Sequence, residues 1–234
     1  MYLRRLFMLT SGLTIVLMTV LTAYTGAYAS SSNLAHTTYK LARPQATSSY
    51  QGGYSPVQIK GAYDLPSSDT GAGMTIGIVD AYNDPTAASD FDTFSQQFGL
   101  PTIAGGCNCF TKVNQTGGTK YPRTNSGWAL EISLDIEWAH AIAPQAHILL
   151  VEASSASFTN LLAAEDYATA HANVASNSWG GSESSGETSY DSHFNKAVAI
   201  TVSAGDSGTP ANYPSSSPYV LSVGGTTTTK HLTF

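Results

Sequence analysis

Charged residues are scarce in this chain: Asp, Glu, Lys and Arg together make up 11% of its 234 residues. The 10 Lys and Arg are outnumbered by 16 Asp and Glu, for a net charge of -6, and nowhere do they gather into a basic block. Without such a block there is nothing to neutralise a run of phosphates, so nucleic acid is not an expected partner. Cysteine is nearly absent too. The two present, Cys107 and Cys109, are too few for a disulfide scaffold or a thiolate metal site. Only two residues apart, they suit a local loop staple. After the first 29 residues no apolar run is long enough to span a bilayer, and no internal repeat is visible. What the chain does have is 42% hydrophobic residues, enough for one globular domain with a sizeable core.

The first 29 residues stand apart. Arg4 and Arg5 precede an apolar run from Leu6 to about Ala23, and the small-residue site Ala27-Tyr28-Ala29 follows. That is the order of a secretory signal peptide. A membrane anchor is the alternative, because the run approaches the ~20 residues that cross a bilayer. The expectation is a secreted, extracellular chain with no stable membrane partner once the signal is removed. Residues 30–53, rich in Ser, Thr, Ala, Tyr and Gly without a sustained period, read as an N-terminal linker. Residues 54–234 are left as the folded domain.

From Tyr54 onward strand-like and helix-like segments alternate. Met74 to Asp80 (MTIGIVD) has the near-continuous β-branched character of a strand buried on both faces. Asp84 offers a cap for a helix with Pro85 in its first position, which Gly99 closes. Asn125 or Ser126 opens the next helix, which runs to Ala143 before Pro144. His147 to Glu152 is a second buried strand, Ser157 caps a helix to about His171, and Val174 to Trp179 is a strand. A helix near Ser189 to Val198 and strands at Ile200 to Ala204 and Tyr219 to Val223 complete the series. Regular alternation of this kind predicts an α/β fold, a mostly parallel sheet with helices on both faces. Chemistry in such sheets sits beyond the carboxyl ends of the strands, where Asp80, Trp179 and Gly205-Asp206 fall.

Residues 127–144 (GWALEISLDIEWAHAIAP) hold two carboxylates four apart, Glu131 and Asp135. On a helix they share a face, at a cost of a few tenths of a kcal/mol if exposed and more if buried. A solvated face would carry the same pair. Trp128 and Trp138 on roughly the same side, with apolar residues over much of the remaining circumference, point instead to a buried helix in which the pair shares a proton.

A second stretch, Ser203-Ala-Gly-Asp-Ser-Gly208, contains the Gly-Asp-Ser-Gly of chymotrypsin-like nucleophile loops, with Ser207 as nucleophile and His140 as base. Alternating strands and helices exclude that all-β architecture. A subtilisin-type triad fits the architecture, but no His-Gly-Thr occurs and Asp80 is followed by Ala-Tyr.

Several segments, in order, resemble the sedolisins, the serine-carboxyl peptidases, which keep a subtilisin-like fold and replace its histidine with a glutamate. They are Ser55-Pro56 through Pro66, Gly127 through Pro144, His147 to Ala153, Ser176-Asn-Ser-Trp-Gly-Gly181, Ser203 to Gly208, and Tyr213-Pro214 through Val223-Gly-Gly-Thr226. The resemblance covers about residues 54–226. It implies that Glu131 is the general base, that Asp135 orients and tunes it, and that Asp206 donates a hydrogen bond to the oxyanion from a protonated carboxyl. Asp80 and Trp179 are implied as supporting members of one hydrogen-bonding network. Asp80 reads equally as a strand-end turn residue, Trp179 as core packing, and Ser207 as a turn hydroxyl.

In the sedolisins the nucleophile lies in a Ser-Gly-Thr-Ser motif well beyond Val-Gly-Gly-Thr, and no such motif occurs here. The expectation is a C-terminally incomplete fold, a partial peptidase domain at 54–234 with no nucleophile of its own. Neither a cofactor nor a metal is expected in this chain, the implied calcium site belonging to the absent region. Nor is the family's pro-domain expected in this chain. A monomer is expected, acting on proteins or peptides at acidic pH. The rival expectations are an inactive secreted remnant and a peptide-binding α/β domain.

Overall fold

The computed structural model describes residues 34–38, 53–208 and 210–226. The expected signal peptide at 1–29 and most of the expected linker lie outside the described residues. The described residues fall within one compact unit, Asn33–Phe234.

A six-stranded sheet forms its centre. In chain order its strands are β2 (Thr75–Ala81), β3 (Phe110–Asn114), β4 (His147–Ala153), β5 (Val174–Asn177), β7 (Ala199–Ser203) and β8 (Leu221–Val223). They lie side by side in the order β3-β4-β2-β5-β7-β8, every neighbouring pair parallel. This is the expected α/β architecture. From β2 the chain first moves toward the β3 edge and returns through β4, then crosses to β5 on the other side. The strand order therefore reverses at β2, and its carboxyl end is the place where such sheets put their chemistry.

Helices cover both faces. On one lie α2 (Ala87–Phe98) and α3 (Ser126–Ile142), and on the other α4 (Phe158–His171). The side-chain period of two sorts the strands between two cores. Ile78, Ile148 and Leu150 pack with Phe91, Ile132 and Ile136, whereas Val79, Leu149 and Val151 pack with Leu161, Ala164 and Ala168. Gly77 lets α4 lie close on the sheet: a Cβ there would stand 3.1 Å from the Cβ of Ala168 and 3.2 Å from that of Ala172.

Local chemistry explains the helix starts. The Asn125 side chain accepts from the N–H groups of Gly127 and Trp128, and that of Ser157 from Asn160 N. Asp84 acts one step earlier than expected. Its Oδ1 accepts from Thr86 N and Thr86 Oγ1, each at 2.9 Å, forming the turn that leads into α2, whose own N-cap is Thr86.

Other differences from the sequence reading are local. The strand expected to run to Trp179 breaks at Ser178, so that β6 (Trp179–Gly180) is separate. The helix expected near 189–198 is a 3-10 segment, Glu187–His193. Helix α1 (Pro56–Ala62) and strand β3 were not anticipated as elements; a Ser55–Gln58 capping box starts the former. Within the stretch read as linker, β1 (His36–Thr37) pairs antiparallel with β6. Its flanks are tied down by Ala35 N to Ala156 O at 2.8 Å and Thr38 Oγ1 to Ser203 Oγ at 2.6 Å. Cys107 and Cys109 form the expected local disulfide.

Candidate active site

Asp80 follows the parity of Ile78 and so faces α3 from the carboxyl end of β2. Glu131 and Asp135 face back from the first half of α3, on the stripe beside Trp128, Ile132 and Ile136. Asp80 is 0% exposed and Glu131 1%. Asp135 is half-buried as a residue, with its Oδ2 enclosed. The helix is less buried than expected on its far side, where Leu130 and Leu134 are exposed. Trp128 packs edge-on to Tyr82 at 6.2 Å, while Trp138 packs against Phe94 of α2 at 6.1 Å.

Carboxylates removed from water without cations cannot all stay ionised. Burial pushes Asp135 up to about 7, the Ser178 hydroxyl hydrogen-bonded to it opposing the rise. Asp80 is raised well above the ordinary range, by burial first and then by Asp135, Glu131 and Glu152. The sequence reading had Glu131 and Asp135 together. It did not foresee Glu152, whose carboxyl is wholly buried on the strand next to Asp80 and raised by burial to about 7. Nor did it single out Lys112, 3.4 Å from Glu152 Oε1. Glu152 had read as the end of a hydrophobic run; a charged residue inside such a run was the available signal.

Trp179 is fully buried among Phe158, Tyr190 and Tyr213, its ring edge-on to Phe158 at 5.9 Å. Its indole N–H and both Asp80 oxygens lack hydrogen-bond partners among the described residues, so no direct bond links Trp179 to Asp80. Asp206 lies apart from the cluster, exposed in the loop after β7. That loop is nonetheless set beside β6, because Asn212 packs against both Gly180 and Gly205. A Cβ on Gly205, where φ is 91°, would meet Asn212 Nδ2 at 2.6 Å.

Ser207 is exposed in the same turn. His140 lies roughly 13 Å along α3 from Glu131. It is fully buried, with Nε2 2.9 Å from the Pro101 carbonyl and its ring 4.4 Å from Phe91. It is a core histidine and no partner for Ser207. Among the described residues no group of three or more His, Cys, Asp or Glu side chains is placed to hold a metal ion. No helix among them is long and apolar enough to cross a membrane.

The profile of the subtilase family matches residues 117–234, half of the chain and nearly all of the sheet beyond β3. The chain belongs to the subtilase family. Within that family, its ordered motifs resemble those of the sedolisins. This subtilase is 29% identical over 197 residues to kumamolisin of Bacillus sp. (strain MN-32), an alignment covering 74% of this chain and 34% of that protein. Among solved structures it resembles Pseudomonas sedolisin, a serine-carboxyl proteinase complexed with two molecules of pseudo-iodotyrostatin. The TM-score is 0.63 at 24% identity, over 73% of this chain and 53% of that one, which is a likeness of fold. The chain thus spans about a third of the length of the curated relative and about half of the solved chain.

Proposed function

We propose that this chain carries the acid–base machinery of a serine-carboxyl endopeptidase that acts on proteins or peptides at acidic pH. The observation supporting it is the meeting of Asp80, Glu131 and Asp135 in one buried cluster at the carboxyl end of β2. In this reading Glu131 takes the proton from an attacking serine hydroxyl and returns it to the leaving amine. Asp135, protonated below about pH 7, orients Glu131 without adding a second negative charge. Asp206 supplies a hydrogen bond to the oxyanion. Asp80 supports the base from behind, and Trp179 packs in the neighbouring aromatic core. The protein is secreted and monomeric and needs no cofactor. The 234 residues contain no Ser-Gly-Thr-Ser segment, so the reading gives this chain a base, its partner and an oxyanion donor but no nucleophile.

A second reading, a secreted peptide-binding remnant without catalysis, draws on β1. That strand lies antiparallel along Trp179–Gly180, beside Ser178 and Asp135, so this edge accepts an extended backbone. Incubating the chain with a denatured protein at about pH 4, alongside Glu131→Gln, separates the two. Cleavage lost in the variant supports the peptidase. Peptide binding without cleavage supports the remnant. Labelling of Ser178 or Ser207 by a fluorophosphonate would overturn the absence of a nucleophile.

A further inference from the structure

Glu152 and Asp80 are register partners on neighbouring parallel strands, about 4.8 Å apart, with both side chains on the α3 face. Both are fully buried. One oxygen of Glu152 is well supplied: Oε1 accepts from Asp84 N at 2.8 Å and lies 3.4 Å from Lys112 Nζ. Lys112 is itself fixed, donating to Asn83 Oδ1 at 2.8 Å and the Asp84 carbonyl at 2.6 Å, with its ammonium 4.2 Å from the centre of the Tyr121 ring. The other oxygen, Oε2, has no hydrogen-bond partner among the described residues, and neither do the two oxygens of Asp80.

Ionised carboxylates only accept hydrogen bonds. Three buried oxygens with no donor, on two register partners, are therefore satisfied most simply by a proton that the carboxyls themselves hold. The charged groups around them agree. Asp80 is faced by Glu131 and Asp135 from α3 and by Glu152 from β4. Glu152 is faced by Lys112 from β3 and by Asp84 from the loop after β2. Among the described residues a single ammonium thus serves the group.

We propose that Glu152 and Asp80 share one proton, and that Glu152, anchored by Lys112 and the Asp84 N–H, is a positioning residue that keeps Asp80 neutral behind Glu131. Proton sharing depends only on the buried pair; its consequence for catalysis rests on the reading of Glu131 as base. The competing role is mechanical, with Glu152 merely tying residues 83–84 to the sheet through Lys112.

The test is a carboxyl-detected NMR titration of the full chain, which needs no enzymatic activity. In the wild type Asp80 and Glu152 should titrate as a coupled pair, in two steps more than about one pH unit apart. Glu152→Gln retains an acceptor for the Asp84 N–H but removes the shared proton, and should lower the Asp80 midpoint by about one pH unit or more. Lys112→Met should raise the first midpoint of the pair, because the ammonium favours its anionic form. A purely mechanical role predicts no such opposed shifts. Independent titration of the two groups at ordinary carboxyl values would overturn the proposal, as would an Asp80 midpoint unmoved in both variants. Should Glu152→Gln not fold, the wild-type titration and Lys112→Met still decide. Loss of peptidase activity with the coupled titration intact would count against the function and not against the shared proton.

Discussion

The most direct test of the buried-carboxyl reasoning lies on the opposite face of the sheet, away from the candidate active site. Glu165 of α4 is 0% exposed, and burial pushes its carboxyl up to about 8, with the Asn177 side chain opposing part of the rise. The unfolded chain holds this carboxyl near about 4.3. Between those values the native state keeps a proton that the unfolded state releases, so stability is present in acid and is lost as pH rises through the folded value. A difference of about 3.7 pH units corresponds to at most about 5 kcal/mol, at about 1.4 kcal/mol per unit. Relaxation and water entry reduce such penalties, so a loss of about 2 to 4 kcal/mol between pH 5 and pH 8 is expected. Glu165→Gln keeps the shape and cannot ionise, and should remove that part of the slope. Urea unfolding followed by tryptophan fluorescence, at about pH 5, 6, 7 and 8 for both proteins, measures it. If the two stability curves run parallel within about 0.5 kcal/mol across this range, the burial argument for Glu165 is refuted, and with it the same argument for Asp80 and Glu152.

Adding a methyl at Gly77 drives a Cβ to 3.1 Å from Ala168, so Gly77→Ala should cost about 1–3 kcal/mol in thermal unfolding. Asn125→Ala removes the acceptor for two N–H groups at the start of α3 and should cost about 1 kcal/mol, measurable as a lower urea midpoint. Lys112→Met leaves buried Glu152 without its cation, and the destabilisation should be larger at about pH 8 than at about pH 5, where the carboxyl is protonated; denaturation at the two values checks the sign. If the chain cleaves protein at acidic pH, Glu131→Gln should lower the rate by about a hundredfold or more, and an unchanged rate would remove Glu131 from the reaction.

The alternation of strands and helices, the parallel sheet and the pairing of Glu131 with Asp135 on one helix face were all legible in the sequence. They follow from local rules: β-branched runs too apolar to face water, a capping Asn125, and a spacing of four that a helix converts into adjacency. Elements without such signals were missed or misjudged. Strand β3 (Phe110–Asn114) alternates weakly and begins just after the disulfide loop, and His36–Thr37 becomes a strand only because β6 offers it a partner. The residues expected around Glu131 were also only partly separable by sequence. Asp80 joins the cluster, Trp179 lies in an aromatic core with no bond to Asp80, and Asp206 stays exposed on a neighbouring loop.

What the sequence alone determined, then, was the set of elements and the helix that carries the paired acids, because hydrophobic period and caps act within a few residues. Which other acids meet that pair was decided by tertiary structure. Strand order reverses at β2, and parallel register sets Asp80 beside Glu152, residues 72 positions apart in the chain that no local pattern connects. Burial is likewise a property of the assembled layers: α3 closing over the sheet is what removes water from these carboxyls and raises those of Asp80, Asp135 and Glu152 above the ordinary range.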